Sequence, residues 1–173
     1  MRRNCGRGGR AAAAVVSAML MAGGAAAGSP EICEAIARAD LAGLLTKGAE
    51  LSVTGPLEYD GLRTVSCAFG PALGPGLIVN VGEDVGDRVP DAAAEAAAEE
   101  AAMLRMMEGD DYPLEEIAGL GAAAFWDPET QLLRVWPADG NISLQFSVLG
   151  TDDARAAAEE AARRVLMVLP GGG

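Results

Sequence analysis

Five carboxylates fall within nine positions in Glu108-Gly-Asp-Asp-Tyr-Pro-Leu-Glu-Glu116. Two kinds of chemistry use such a group: binding of a hard cation, and acid/base work by a carboxylate pair. The D-x-D-x-D-G order of a cation loop is absent. Glu115 and Glu116 are adjacent, so on a helix they would not face each other, and nothing apolar is placed to raise one pKa. The stretch reads as a solvated linker. The chain has no histidine, which removes imidazole bases, Ser-His-Asp triads and His-bearing zinc sites. No catalytic residue, metal set or cofactor site is assigned.

The remaining reactive side chains are thiols. Cys5 lies in the leader described below, and Cys33 and Cys67 remain. They lack CxxC spacing and a basic partner, which argues against a redox or nucleophilic role. An even count in an oxidising compartment predicts a Cys33–Cys67 disulfide. A closed loop of about 35 residues would stabilise the fold by roughly 3–4 kcal/mol. Gly70-Pro-Ala-Leu-Gly-Pro-Gly76 is glycine-rich, but it has no following Lys and opens a strand, so it reads as a hairpin connection rather than a phosphate cradle. Trp126 and Trp136 are the candidate interface residues, because Trp is enriched in binding hot spots. Met103, Met106 and Met107 are expected to pack at a helix end.

The elements that position these groups follow from periodicity. In Asn141-Ile-Ser-Leu-Gln-Phe-Ser-Val148, Ile142, Leu144, Phe146 and Val148 alternate with polar residues, the period of a half-buried strand. Gln131–Trp136 is rich in β-formers and is linked to it through Pro137-Ala-Asp-Gly140, a hairpin signal. Thr151 and Asp152 are expected to cap a helix carrying Ala154, Ala157, Ala158, Ala161, Ala162, Val165, Leu166 and Leu169 on one stripe. Upstream, Ser29-Pro-Glu predicts a helix start that carries Cys33. Another helical turn or two is expected over Asp40–Leu45. Short strands are expected at Leu51–Thr54, Arg63–Phe69, Leu77–Val81 and Ala122–Trp126. Val65, Cys67 and Phe69 share a strand face, which turns Cys67 inward beneath the first helix. Asp91 is expected to cap an alanine-rich helix over residues 92–107, ended by Gly109. Small side chains would let that helix sit close to a sheet. Its Glu95, Glu99 and Glu100, like Glu159 and Glu160 later, are expected on solvated faces with ordinary pKa values. Pairs Arg155–Glu159, Glu159–Arg163 and Glu160–Arg164 have i, i+4 spacing.

The expected fold is α+β: a largely antiparallel sheet of five to six strands with three main helices. Helix, three strands and long helix occur twice in order, and Ala-Ala-Ala-Glu-Glu-Ala-Ala recurs at residues 96–102 and 156–162. This suggests a pseudo-repeat.

The length of 173 residues suits one domain. Residues 1–28 have the three parts of a secretory signal: arginines at 2, 3, 7 and 10, the apolar run from Ala11 to Met21, then small residues around Ala25–Ala27. The apolar run falls short of the roughly 20 residues of a bilayer span. The expected organisation is a signal peptide (1–28), a single exported domain (29–170) and a flexible tail (171–173). Cys33 does not follow a lipobox, so a secreted or periplasmic protein without a lipid anchor or membrane span is expected. The whole chain carries 13 Lys and Arg against 25 Asp and Glu; removing the leader takes four arginines and leaves 9 basic against 25 acidic groups, a net charge of −16. Such a surface repels nucleic acid and anionic lipid.

Ile32-Cys33 on the first helix, Ser66-Cys-Ala-Phe69 on a strand, Gly119-Leu-Gly121 before Ala124-Phe-Trp126, and Gly140-Asn-Ile142 before the last helix together resemble a broad group of secreted proteins and lipoproteins of unknown function from GC-rich bacteria. The resemblance implies an α+β envelope or extracellular domain with a disulfide, and no particular activity. The expected function is therefore a non-catalytic accessory protein that binds an unknown protein or small ligand, through its sheet face or a groove beside it. Two alternatives stand beside it: a carboxylate-based hydrolase, and a self-associating structural envelope protein.

Overall fold

The computed structural model describes residues 30–41, 43–45, 49–71, 75–85, 92–137 and 141–169. Its central strand is β7, Ile142–Leu149, in which Leu144, Phe146 and Val148 are buried and Ser143, Gln145 and Ser147 are half-buried on the other side. Alternation puts the apolar set on one face, and neighbouring strands continue it. Phe146 stands between Val79 of β3 (Gly76–Asp84) and Leu133 of β6 (Leu132–Trp136). Outward from β3 lie β2 (Leu62–Phe69) and β1 (Leu51–Tyr59); outward from β6 lie β5 (Ala123–Asp127) and β4 (Glu115–Glu116). The order is β1-β2-β3-β7-β6-β5-β4, every pairing antiparallel. With helices α1 (Glu31–Ala37), α2 (Ala93–Glu108) and α3 (Ala154–Leu166) the fold is α+β, as expected. Seven strands replace the expected five to six because the Glu115-Glu116 pair, read as linker, adds an edge strand two residues long.

The two sheet faces carry different covers. On one, α1 and α3 close the main core, in which Val65, Cys67, Val79, Val81, Leu133, Val135, Leu144 and Phe146 are fully enclosed. Burying about half a dozen such side chains at about 1.5–3 kcal/mol each dominates the favourable side of folding. α3 is capped by Asp153, whose carboxylate accepts from Ala156 N at 3.0 Å. The expected cap was one or two residues earlier; Thr151 instead accepts from the Asp153 amide with its hydroxyl at 3.4 Å. The three expected i, i+4 ion pairs of α3 all form. On the opposite face α2 packs over β5 and β6, where Ala93 and Ala96 meet Phe125 and Trp136. The meanders β1–β3 and β5–β7 match in strand order, yet α2 and α3 lie on opposite faces of the sheet.

Four local expectations are corrected. Gly43 and Leu44 lie in a turn, with Leu44 N donating to Leu41 O, and no described residue of 40–45 is helical. The strand from Leu51 does not stop at Thr54: it runs through Gly55 and Pro56, absorbing them as a register shift, because Gly55 adopts a φ of +110° open to glycine. The first N-cap of α2 is Ala92; Asp91 lies outside the described residues. Met103, Met106 and Met107 are exposed, since only the first half of α2 is buried against the sheet. Residues 1–29, 138–140 and 170–173, where a signal segment, a hairpin connection and a tail are expected, also lie outside the described residues.

Candidate functional site

The alanines of α2 do not bring its whole flank onto the sheet. Ala94, Ala97, Ala98 and Ala101 recur at helical spacing along one side, and across from them the chain between β4 and β5 turns away through Ala118-Gly-Leu-Gly121. Side chains that end at Cβ cannot fill the gap, and an open cleft of about 650 Å³ remains. That is within the range of about 300–1,000 Å³ common for small-ligand sites. Leu114, Ile117 and Phe125 add apolar surface. The turn wall is fixed from behind: Leu120 is buried in the main core, and Ala122 N donates to Trp136 O at 2.9 Å. A Cβ on Gly121, at φ +64°, would sit 2.6 Å from Trp136 O, so only glycine lets the turn approach β6. Arg105 and Glu116 line the same cleft. Among the described residues neither forms an ion pair or a side-chain hydrogen bond.

Behind the cleft lies a buried charge network. Asp127 is fully enclosed, and its Oδ1 accepts from Tyr112 Oη at 3.0 Å, Glu129 N at 3.1 Å and Thr130 N at 3.2 Å. Arg134 Nη1 donates to Oδ2 at 3.3 Å. Burial pushes the Asp127 carboxyl up, but hydrogen bonds from Thr130, Tyr112 and Arg134 outweigh it, and its pKa lies below the ordinary value. Arg134 also sets its guanidinium 5.6 Å from the Phe125 ring centre and its Nε 2.6 Å from Glu100 Oε1. That last contact is an ion pair without an aligned hydrogen bond, because the Nε–H does not point at the carboxylate. Glu100 is thus turned toward the sheet, not toward solvent with an ordinary pKa. Burial raises its pKa, Arg134 opposes this, and Asp84 adds to it. Asp84 is itself raised, by burial and then by Glu99. The network ties α2 to β6 and holds the turn after β5.

The expected thiol pair is joined: Cys33 and Cys67 form a disulfide with Cα atoms 5.3 Å apart, both fully buried between α1 and β2. The two tryptophans named as interface candidates are both buried. Trp126 is 5% exposed in the core beneath α3, and Trp136 is 2% exposed beneath α2, with its ring 5.6 Å from that of Phe125. Strand positions with both faces covered bury whatever they carry. Glu115 and Glu116, on a strand rather than a helix, point to opposite faces. Glu115 pairs with Arg155, which also holds Glu159, while Glu116 faces the cleft. No group of three His, Cys, Asp or Glu among the described residues is arranged to hold a metal ion. A second, shallower depression of about 260 Å³ lies on the sheet face that α2 leaves open, where Thr54, Ser66, Asn80 and Gln145 stand in register across four strands. Comparison with protein-family models, with curated proteins and with solved structures returns no match.

Proposed function

We propose that this chain is an exported, non-catalytic accessory protein of the cell envelope or its surroundings, and that it binds its ligand or partner in the cleft between α2 and the β4–β5 turn. The single observation that carries the reading is that cleft: about 650 Å³, walled by the alanines of α2 and the backbone of the facing turn, with a cation and an anion on its lining that no described residue engages. Charged groups in a concave apolar site orient a ligand more than they stabilise a fold. Export rests on the leader at residues 1–28, and the buried disulfide is compatible with it. The resemblance to secreted domains of GC-rich bacteria and the duplication of a helix-strand unit belong to the same reading. The acidic surface selects against polyanions and favours neutral or basic macromolecular partners, with binding that weakens in salt.

The test is recovery of bound material from culture with the protein as bait, at low and high salt, beside an Ala98→Leu variant that narrows the cleft. Material retained by the parent and lost by the variant supports the reading. Equal retention by both removes the cleft from it. Turnover of a glycan or ester that is lost on Glu116→Gln would replace it with the carboxylate hydrolase.

A further inference from the structure

Three methionines of α2 have no task in the fold. Met103, Met106 and Met107 are 48%, 79% and 60% exposed and belong to neither hydrophobic core. Their spacing is i, i+3, i+4, which on a helix makes Met103 the neighbour of both others, with Cβ atoms about 5–6 Å apart. Side chains of a helix lean toward its N-terminus, so the thioethers of Met106 and Met107 reach back toward that of Met103. Unbranched chains with three rotatable bonds each can bring the three sulfurs to one point. At about 100° per residue, Ala97, Ala101 and Arg105 run down one flank of α2 and line the cleft, while Glu99 and the methionines run down the other. That second flank is electronegative. Glu99, one turn before Met103, is close enough to Asp84 of β3 to raise its carboxyl pKa. Met106 and Met107 sit in the last turn, at the negative end of the helix dipole, and Glu108 follows them.

We infer that Met103, Met106 and Met107 form a binding site for one soft monovalent metal ion of the Cu(I) class, held by their three thioether sulfurs. Thioethers are neutral and polarisable and select Cu(I), whereas Zn(II) takes thiolate, imidazole or carboxylate and Ca(II) takes oxygen. The chain has no histidine and Cys33 is joined to Cys67, so methionine sulfurs are the soft donors that the described residues offer, and these three are grouped on one helical turn. The carboxylates of that flank draw a cation in without serving as ligands. As a docking surface the set is small: three side chains on one turn fall far short of the about 800 Å² that a stable interface takes from each partner, but three donors suffice for a trigonal metal site.

The probe is Ag(I), added as the nitrate in chloride-free buffer to the full chain labelled at its methionine methyl carbons, with Cys5→Ser so that this thiol does not compete; Cu(I) under anaerobic conditions repeats the titration. The methyl resonances of Met103, Met106 and Met107 shift together and saturate at one equivalent, and those of Met1, Met19, Met21 and Met167 move only beyond that point. Ca(II) and Zn(II) leave the three in place. By calorimetry, Met103→Leu, Met106→Leu and Met107→Leu each weaken Ag(I) by at least about tenfold, since even an outer-shell contact is worth about 10–100-fold in metal affinity. The triple variant loses the one-equivalent binding. Leucine keeps the volume and the helix propensity, so the variants keep the parent's melting temperature. Absence of saturation at one equivalent, shifts confined to the other methionines or undiminished binding by the triple variant overturns the inference. So does the same response to Ca(II), which would assign it to the carboxylates. A protein partner retained by the parent and lost by the triple variant, with no response to Ag(I), would make this flank a docking surface instead.

Discussion

Replacing Asp127 with Asn changes one oxygen to an amide nitrogen at a position with no exposed surface. Oδ1 carries three of the four hydrogen bonds, from Tyr112, Glu129 N and Thr130 N, so the amide will keep its oxygen there and turn its nitrogen toward Arg134. A donor then faces a donor, and the charge-assisted bond, worth about 1.5–3 kcal/mol, is lost. The remaining cation is still paired with Glu100, which caps the added penalty for a stranded buried charge. A total of roughly 2–4 kcal/mol follows, or a fall in Tm of roughly 5–15 °C for a domain of this size. The pH dependence gives the sharper check. Asp127 is more acidic folded than unfolded, so its contribution is complete above the ordinary carboxylate value of about 4 and is lost as pH falls through the lower folded value. Urea unfolding of parent and variant at pH 7, 5 and 3 should therefore show a gap that is widest at pH 7 and closes toward pH 3. A gap under about 0.5 kcal/mol at pH 7, or one that does not change with pH, would mean that Asp127 is not ionised in the fold and that the network has been misread.

Three further outcomes are expected. Glu100→Gln should behave with the opposite sign: its folded pKa is raised, so ionising it disfavours the fold as pH rises through that value, and the substitution should be least costly at neutral pH and most costly near pH 4, in the same urea assay. Converting Cys33 and Cys67 together to Ala should cost about 3–4 kcal/mol for a sequence separation of 34 residues, and thiol titration of the denatured, unreduced parent should find neither of them free. Gly121→Ala forces a Cβ to 2.6 Å from Trp136 O at positive φ and should lower stability by at least about 2 kcal/mol, whereas Gly119→Ala, with nothing within 4 Å, bears only the backbone strain of about 1 kcal/mol.

Much of the fold could be read from the chain because its signals were local. The alternation in β7, the β-formers of β6 and the charge pairs of α3 each depend on neighbours within four residues, and each appears as expected. The disulfide was legible because the even thiol count left by the expected export and the inward strand face of Cys67 both pointed to it. What was missed depends on distant covers. β6 reads Leu-Leu-Arg-Val-Trp, without alternation, because α3 covers one face and α2 the other; nothing in that run marks Arg134 as the cation that Asp127 and Glu100 share. An alanine helix has no stripe to show which side is inward, so Glu100 was assigned to solvent. The same feature hid the cleft: small residues permit close packing and equally permit a gap, and only the path of residues 117–122 decides between them. A strand of two glutamates leaves no periodicity at all.

The pairing of β3 with β7 has a consequence for how the chain reaches this fold. The partner of residues 76–84 is residues 142–149, the last strand to be made. A chain that emerges from its N-terminus can build the β1–β2–β3 meander and close Cys33 onto Cys67 while β3 still presents an open hydrogen-bonding edge beside Val79 and Val81. That edge stays available for mispairing until more than fifty further residues have followed, and non-local pairing of this kind slows folding. The early disulfide cannot protect it, since it lies one strand away on β2. Fragments ending before residue 142 are therefore expected to aggregate through that strand rather than through the cleft.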